Sequence, residues 1–119
     1  DKEEVKLEML IGQNSIVKGT IETKGSIRFD GLLEGDIVSA GNVIIGKTGR
    51  VKGNIQARDI LVQGLIEGNI KTQEKIEISD SGKIKGDIFT KLLKIDIGGL
   101  LEGNCNMKTN LPEEEEKSK

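Results

Sequence analysis

The sequence predicts an all-β solenoid, a single β-helix domain of six stacked turns with about 17 residues in each. Three observations lead there. The first is a seven-residue shape, Gly49-Arg50-Val51-Lys52-Gly53-Asn54-Ile55, that returns at Gly31 to Ile37, Gly64 to Ile70, Gly82 to Ile88 and Gly99 to Cys105, with a degenerate first copy at Ser15 to Ile21. Its second glycines stand at positions 19, 35, 53, 68, 86 and 103, so successive steps are 16, 18, 15, 18 and 17 residues. The second observation is a pair of large apolar residues two places apart before every copy: Met9/Ile11, Ile27/Phe29, Val43/Ile45, Ile60/Val62, Ile76/Ile78 and Ile95/Ile97. The third is composition. With 16 Gly, one Pro, two Phe and no Trp, Tyr or His, the interior must be aliphatic and the chain must bend often without stopping.

Taken in order, residues 1–8 are a charged flank that runs into alternating Val5, Leu7, Met9 and Ile11, the pattern of a strand with one buried face. The β-helix domain is expected over residues 9–108. Within each turn, the isoleucine that closes the glycine shape is followed two places on by Thr23, Ser39, Ala57, Thr72, Thr90 or Met107, on the same face of the strand. Each turn therefore has three short edges, typified by Val51/Gly53, Ile55/Ala57 and Ile60/Val62. The corner before each glycine shape is expected to alternate. It has three residues at 12–14, 46–48 and 79–81, and one at Asp30, Gln63 and Gly98, which makes a pair of turns the natural unit. Residues 109–119, with Pro112 and four consecutive glutamates, read as a disordered acidic tail.

No single turn buries enough apolar surface to offset the entropy of ordering its backbone, so stability must come from stacking. At about 4.8 Å per turn, six turns make a rod about 29 Å long. Stacking converts the repeat into vertical files. The residue before the second glycine runs Lys18, Glu34, Lys52, Glu67, Lys85, Glu102, reversing sign at every step, which reads as a charge ladder that sets register. The residue after that glycine runs Thr20, Asp36, Asn54, Asn69, Asp87, Asn104, which side-chain hydrogen bonding at a bend explains without a ligand.

Several functions are excluded by what is missing. The net charge is −2, and residues 12–108 hold 14 Lys/Arg against 12 Asp/Glu, so neither a concentrated basic patch nor a set of stacking aromatics is available for nucleic acid. Without histidine there is no ordinary triad and no imidazole metal site, and no carboxylates converge; no catalytic, cofactor or metal residues are assigned, and no enzyme is expected. Gly41 to Thr48 matches the phosphate-loop pattern literally. However, its middle is Val-Ile-Ile and its continuation Arg-Val-Lys-Gly, strand on both sides where a phosphate loop needs a helix, so no nucleotide is expected. Cys105 fills the closing-isoleucine slot and reads as a small core hydrophobe; as the single cysteine it fits a reducing cytosol. No apolar run approaches the roughly 20 residues of a membrane span. Hexapeptide-repeat acyltransferases share the solenoid look, but their six-residue period is broken here and they resemble enzymes that use a histidine.

The stretch Asp30 to Ile37, the run Val43-Ile44-Ile45-Gly46 leading to Val51 through Ala57, and the closing Gly99 to Met107 together resemble the bactofilins, polymer-forming bacterial cytoskeletal proteins, over about residues 11–108. The resemblance implies a right-handed β-helix of triangular section that polymerises end to end, without nucleotide, into non-polar filaments. It implies roles in cell shape or envelope synthesis and a cytoplasmic location, often at the inner face of the membrane. It also implies partners among envelope or cell-wall proteins and a membrane contact through residues before Asp1. Family members commonly carry a phenylalanine near the last turn; Leu101 stands there here.

The repeats reach polymerisation independently, because an uncapped solenoid presents unpaired strand backbone and apolar core at both ends. Leu7, Met9 and Ile11 at one end and Leu100, Leu101, Cys105 and Met107 at the other are the expected polymerisation interface, with the chain itself as partner. Like ends meeting would give a filament without polarity. The competing reading is a monomeric or dimeric scaffold that binds a protein partner through its side faces, including an exposed Leu32, Leu65 and Leu100 column.

Overall fold

A computed structural model describes residues 7–107, and of Leu7 the backbone alone; the charged start, Lys108 and the expected tail at 109–119 lie outside the described residues. The chain runs β1 (Leu7–Ile11), β2 (Ile16–Lys18), β3 (Ile21–Thr23), β4 (Ser26–Phe29), β5 (Leu32–Glu34), β6 (Ile37–Ser39), β7 (Asn42–Ile45) and β8 (Arg50–Lys52). It continues through β9 (Ile55–Val62), β10 (Leu65–Glu67), β11 (Ile70–Ile78), β12 (Lys83–Lys85), β13 (Ile88–Thr90), β14 (Leu92–Ile95), β15 (Leu100–Glu102) and β16 (Cys105–Met107). Every pairing is parallel, between one turn and the next, and the described residues contain no helix. The predicted solenoid is therefore the fold.

One face is a six-stranded sheet in the order β2-β5-β8-β10-β12-β15. The other two edges of each turn belong to a ten-stranded sheet, because β9 and β11 continue through the corner that separates them elsewhere. Along the first face Val17, Leu33, Val51, Ile66, Ile84 and Leu101 pair in unbroken register and form one interior file. The closing residues Ile21, Ile37, Ile55, Ile70, Ile88 and Cys105 form a second file. Ile27, Val43, Ile60 and Ile76, beside Phe29, Ile45, Val62 and Ile78, line the third edge, all buried.

What lets the backbones stack this closely is glycine. At Gly53, φ is +154°, and a Cβ there would collide with the carbonyl oxygen of Gly35 directly below. Gly35, Gly68, Gly86 and Gly103 repeat the geometry on the turn beneath each. Gly19, in the lowest described copy, has open space where its Cβ would be, and Ser15 replaces the copy's first glycine. The first copy is degenerate because no described turn lies under it.

The last turn departs from expectation. Its interior pair is Leu93/Ile95, in register with Ile76/Ile78, and not Ile95/Ile97; Ile97 is 98% exposed. Gly99 N–H donates to Asp96 C=O at 2.9 Å, as Gly49 does to Gly46 (2.8 Å) and Gly82 to Ser79 (2.9 Å). The final corner is thus the three-residue kind, Asp96-Ile97-Gly98, and the strict alternation of corner lengths ends before it. The reason is strand length: Leu93 lies as far beyond Ile88 as Ile60 lies beyond Ile55, whereas Ile95 in that slot would leave two surplus residues in the preceding edge.

Replacing Gly53 by Ala is expected to cost about 3 kcal/mol or more, from the disallowed φ and the backbone collision together. Gly19→Ala, with the strained φ but no collision, should cost about 1 kcal/mol. Chemical denaturation of the two variants measures the difference.

Candidate assembly interface

The interior files have two ends. At the upper end, Leu93 and Leu101 remain half-buried against the core, while Ile95 is 42% and Met107 51% exposed and Cys105 is exposed, its Sγ 3.4 Å from the Met107 Sδ. Cys105 does lie in the closing-isoleucine file, paired with Ile88, but it is not the core residue the sequence suggested, because no described turn covers it. At the lower end Met9, Ile11 and Val17 are half-buried and Ile21 is buried. Leu7 pairs with Ser26 through the backbone, with a register shift between Leu7 and Met9. Strand edges on β1, β2 and β3 below, and on β14, β15 and β16 above, have a paired neighbour on one side only among the described residues.

Leu100 is placed differently from Leu101. It pairs with Lys83 on the outer side of the first face, in the file Ile16, Leu32, Arg50, Leu65, Lys83, Leu100. The expected exposed leucine column is therefore broken: Arg50 and Lys83 separate its members, and Leu32 and Leu65 are half-buried. The alternation arises because the long-corner copies at 49 and 82 carry a cation where the others carry leucine, and a basic side chain can lay its aliphatic stem along its apolar neighbours. Sequence reading placed Leu101, Cys105 and Met107 in files that end at the upper tip. Val17, which begins the first interior file, and Ile95 stand outside the expected interface although the sequence places both inside, and Leu93 escapes sequence reading because Ile95/Ile97 offers an apolar pair of the same spacing two residues later.

The second file on that face is Lys18, Glu34, Lys52, Glu67, Lys85, Glu102, each beside the next through strand register. Among the described residues these side chains do not close ion pairs with one another; the pairs that form lie on the third edge or at its corners, such as Arg28 with Asp30 at 3.0 Å, Lys94 with Glu77 at 3.6 Å and Lys91 with Glu74 at 3.7 Å. At the adjoining bend, Asp36 Oδ1 accepts from Asn54 N–H (2.9 Å), Asn54 Oδ1 from Asn69 N–H (2.9 Å), Asn69 Oδ1 from Asp87 N–H (3.0 Å) and Asp87 Oδ1 from Asn104 N–H (3.1 Å). Each side chain satisfies a backbone donor that the glycine bend turns away from the ladder. Beside it, the single outward residue of each second-edge strand makes a shallow groove of about 450 Å³, where Val38 and Phe89 are partly exposed and the Lys71 ammonium sits 5.8 Å from the Phe89 ring.

Gly41 to Thr48 has none of a phosphate loop's mechanics. Val43 and Ile45 are buried in β7, and the chain enters β8 two residues after Thr48. The Thr48 hydroxyl donates to the Asp30 carbonyl at 2.7 Å, the same corner role that Ser81 plays toward Gln63 at 2.9 Å. Among the described residues no three Cys, Asp or Glu side chains gather as metal ligands, and no helix is long and apolar enough to cross a membrane.

Among the described residues, fold and surfaces define a class of protein: a β-solenoid whose chemistry lies in stacked backbone, ladders and two open tips, the make-up of a structural module. Residues 9–106 match the family model Bactofilin, described as polymer-forming cytoskeletal, and the chain belongs to the bactofilin family. Comparisons with curated proteins and with solved structures return no significant match. The family is a structural one, and self-association is its defining property.

Asn54→Ala removes the acceptor for the Asn69 N–H and is expected to lower stability by about 1 kcal/mol, whereas Asn54→Asp, which keeps the oxygen, should lose less than half of that. Thermal melts of the two variants against the parent read the difference.

Proposed function

We propose that this bactofilin builds filaments by joining its solenoid tips, like end to like end, and that it does so without nucleotide. The observation that carries this reading is the upper tip, where Leu93 and Leu101, half-buried, and Ile95, Cys105 and Met107, exposed, continue files that are buried in the turns below. A second copy placed there extends each aliphatic file and gives the unpaired edges of β14, β15 and β16 a neighbour, which is the chemistry that already holds turn to turn. The lower tip offers Met9, Ile11 and Val17 for the alternate contact. Two contacts that each join a patch to its own copy generate a rod without overall direction. Nothing in such a contact calls for a phosphate or a metal. In the cell such a rod serves shape or positions envelope proteins from the cytoplasmic side of the membrane.

Leu101→Arg puts a cation at the open end of an interior file, where the isolated rod leaves the position half-exposed and the proposed joint would bury it. Negative-stain microscopy is expected to show parent filaments in nucleotide-free buffer and dispersed particles for the variant, with strand content unchanged by circular dichroism. Unaltered filaments in the variant would remove the upper tip from the contact. Cys105 supplies an independent gauge. Its alkylation by a maleimide should slow at least tenfold on assembly, and equal rates in dispersed and assembled protein would place the joint elsewhere.

A further inference from the structure

The first face of the solenoid has an arithmetic of its own. Its outward side consists of the two files described above, so its six rungs alternate between Glu with a leucine (Leu32/Glu34, Leu65/Glu67, Leu100/Glu102) and cationic rungs. Two of the cationic rungs are doubly charged, Arg50/Lys52 and Lys83/Lys85. Sign alternates and the number of rungs is even. Rotating a second copy by a half-turn about an axis lying in the face, across the rod, therefore sets every rung opposite one of opposite sign. Lys18 meets Glu102 of the other copy, Glu34 meets Lys85 and Lys52 meets Glu67, each pair occurring twice. In the other file Arg50 lies on Leu65 and Lys83 on Leu32. The parallel arrangement in register does the reverse, bringing Arg50 onto Lys52 and Lys83 onto Lys85. The charges are also unspent, since among the described residues the ladder makes no ion pair within the chain.

From this complementarity we infer that the first face is a lateral interface for a second copy of this chain in antiparallel orientation, through which two filaments zip side by side. The area explains why filaments are required. Six rungs of three residues cover about 29 Å by 10 Å, or about 600 Å² for both partners, well below the roughly 1,200 Å² of a stable dimer. Two free subunits associate only weakly, enough to be trapped in concentrated solution, whereas the same contact repeated along two filaments holds by multiplicity. Because the pairs are exposed ions, the zipper opens as salt rises and the screening length falls from about 10 Å at 0.1 M to about 3 Å at 1 M.

The inference rests on the filament reading, and the test separates the two. Microscopy at low salt is expected to show paired filaments for the parent, single filaments for Glu34→Lys/Glu67→Lys, and pairs again when Lys52→Glu and Lys85→Glu are added to those two, since that fourfold variant restores opposite signs across the antiparallel face. Single filaments in the parent, or pairs that survive Glu34→Lys/Glu67→Lys, overturn the lateral interface and leave filament growth intact. Should filaments be lacking altogether, the filament reading fails, and carbodiimide coupling of mixed isotope-labelled chains still decides the interface. Glu34 and Lys85 lie about 14 Å apart within one chain, beyond zero-length coupling. A Glu34–Lys85 link between light and heavy chains at millimolar concentration upholds the face, and its absence overturns it.

Discussion

At the bend that closes the first edge of each turn, the chain passes so close to the turn below that a methyl group cannot fit between them. Gly35, Gly53, Gly68, Gly86 and Gly103 each sit over the carbonyl of the glycine beneath, in a backbone region that side chains avoid. The column decides the rest. It holds the turns at hydrogen-bonding distance, it keeps the interior files vertical, and it leaves one backbone donor per turn without a ladder partner, which the Asp36, Asn54, Asn69 and Asp87 side chains satisfy. Glycine and the residue after it are two halves of one device.

Stacking by such a device has no natural stopping point. A globular core closes because its elements wrap around it, but a file such as Val17 to Leu101 can end only where the chain moves away or another surface arrives. Within the described residues neither tip is closed. The proposed end-to-end joining relies on that openness. The contact that joins turn five to turn six is chemically the same as one that would join a turn to a second molecule. Surface chemistry is correspondingly plain: corners capped by hydroxyls such as Thr48 and Ser81, and faces that carry ladders rather than convergent clusters.

The vertical order of the molecule was legible before any coordinates because the repeat is a physical unit. Val51 and Ile66 can be seen to align because both stand two residues before the second glycine of their copies, and glycines must stack on glycines. The phosphate-loop match at Gly41 to Thr48 dissolved for the same reason, since its equivalents at 12–14 and 79–81 keep the corner but not the motif. Leu32, Leu65 and Leu100 share one slot of the repeat without standing next to one another; the register interposes Arg50 and Lys83, which the alternation of the copies already contained. The groove beside Phe89 left no trace in the sequence, because one outward residue per strand gives no pattern to count.

Sequence alone determined which residues face inward below the last turn, how many turns there are, and that charges alternate along one file, because each depends on spacing along the chain, and spacing in a solenoid is height. It could not determine how the last turn sits. Leu92-Leu93-Lys94-Ile95-Asp96-Ile97 offers two apolar pairs of equal spacing, and only the strand beneath, with Ile76 and Ile78 already in place, selects Leu93 and Ile95 and turns Ile97 out to solvent. Nor could it expose Cys105, whose slot is interior in every lower turn. Burial belongs to the neighbours above and below, and at the end of the described stack one of them is missing.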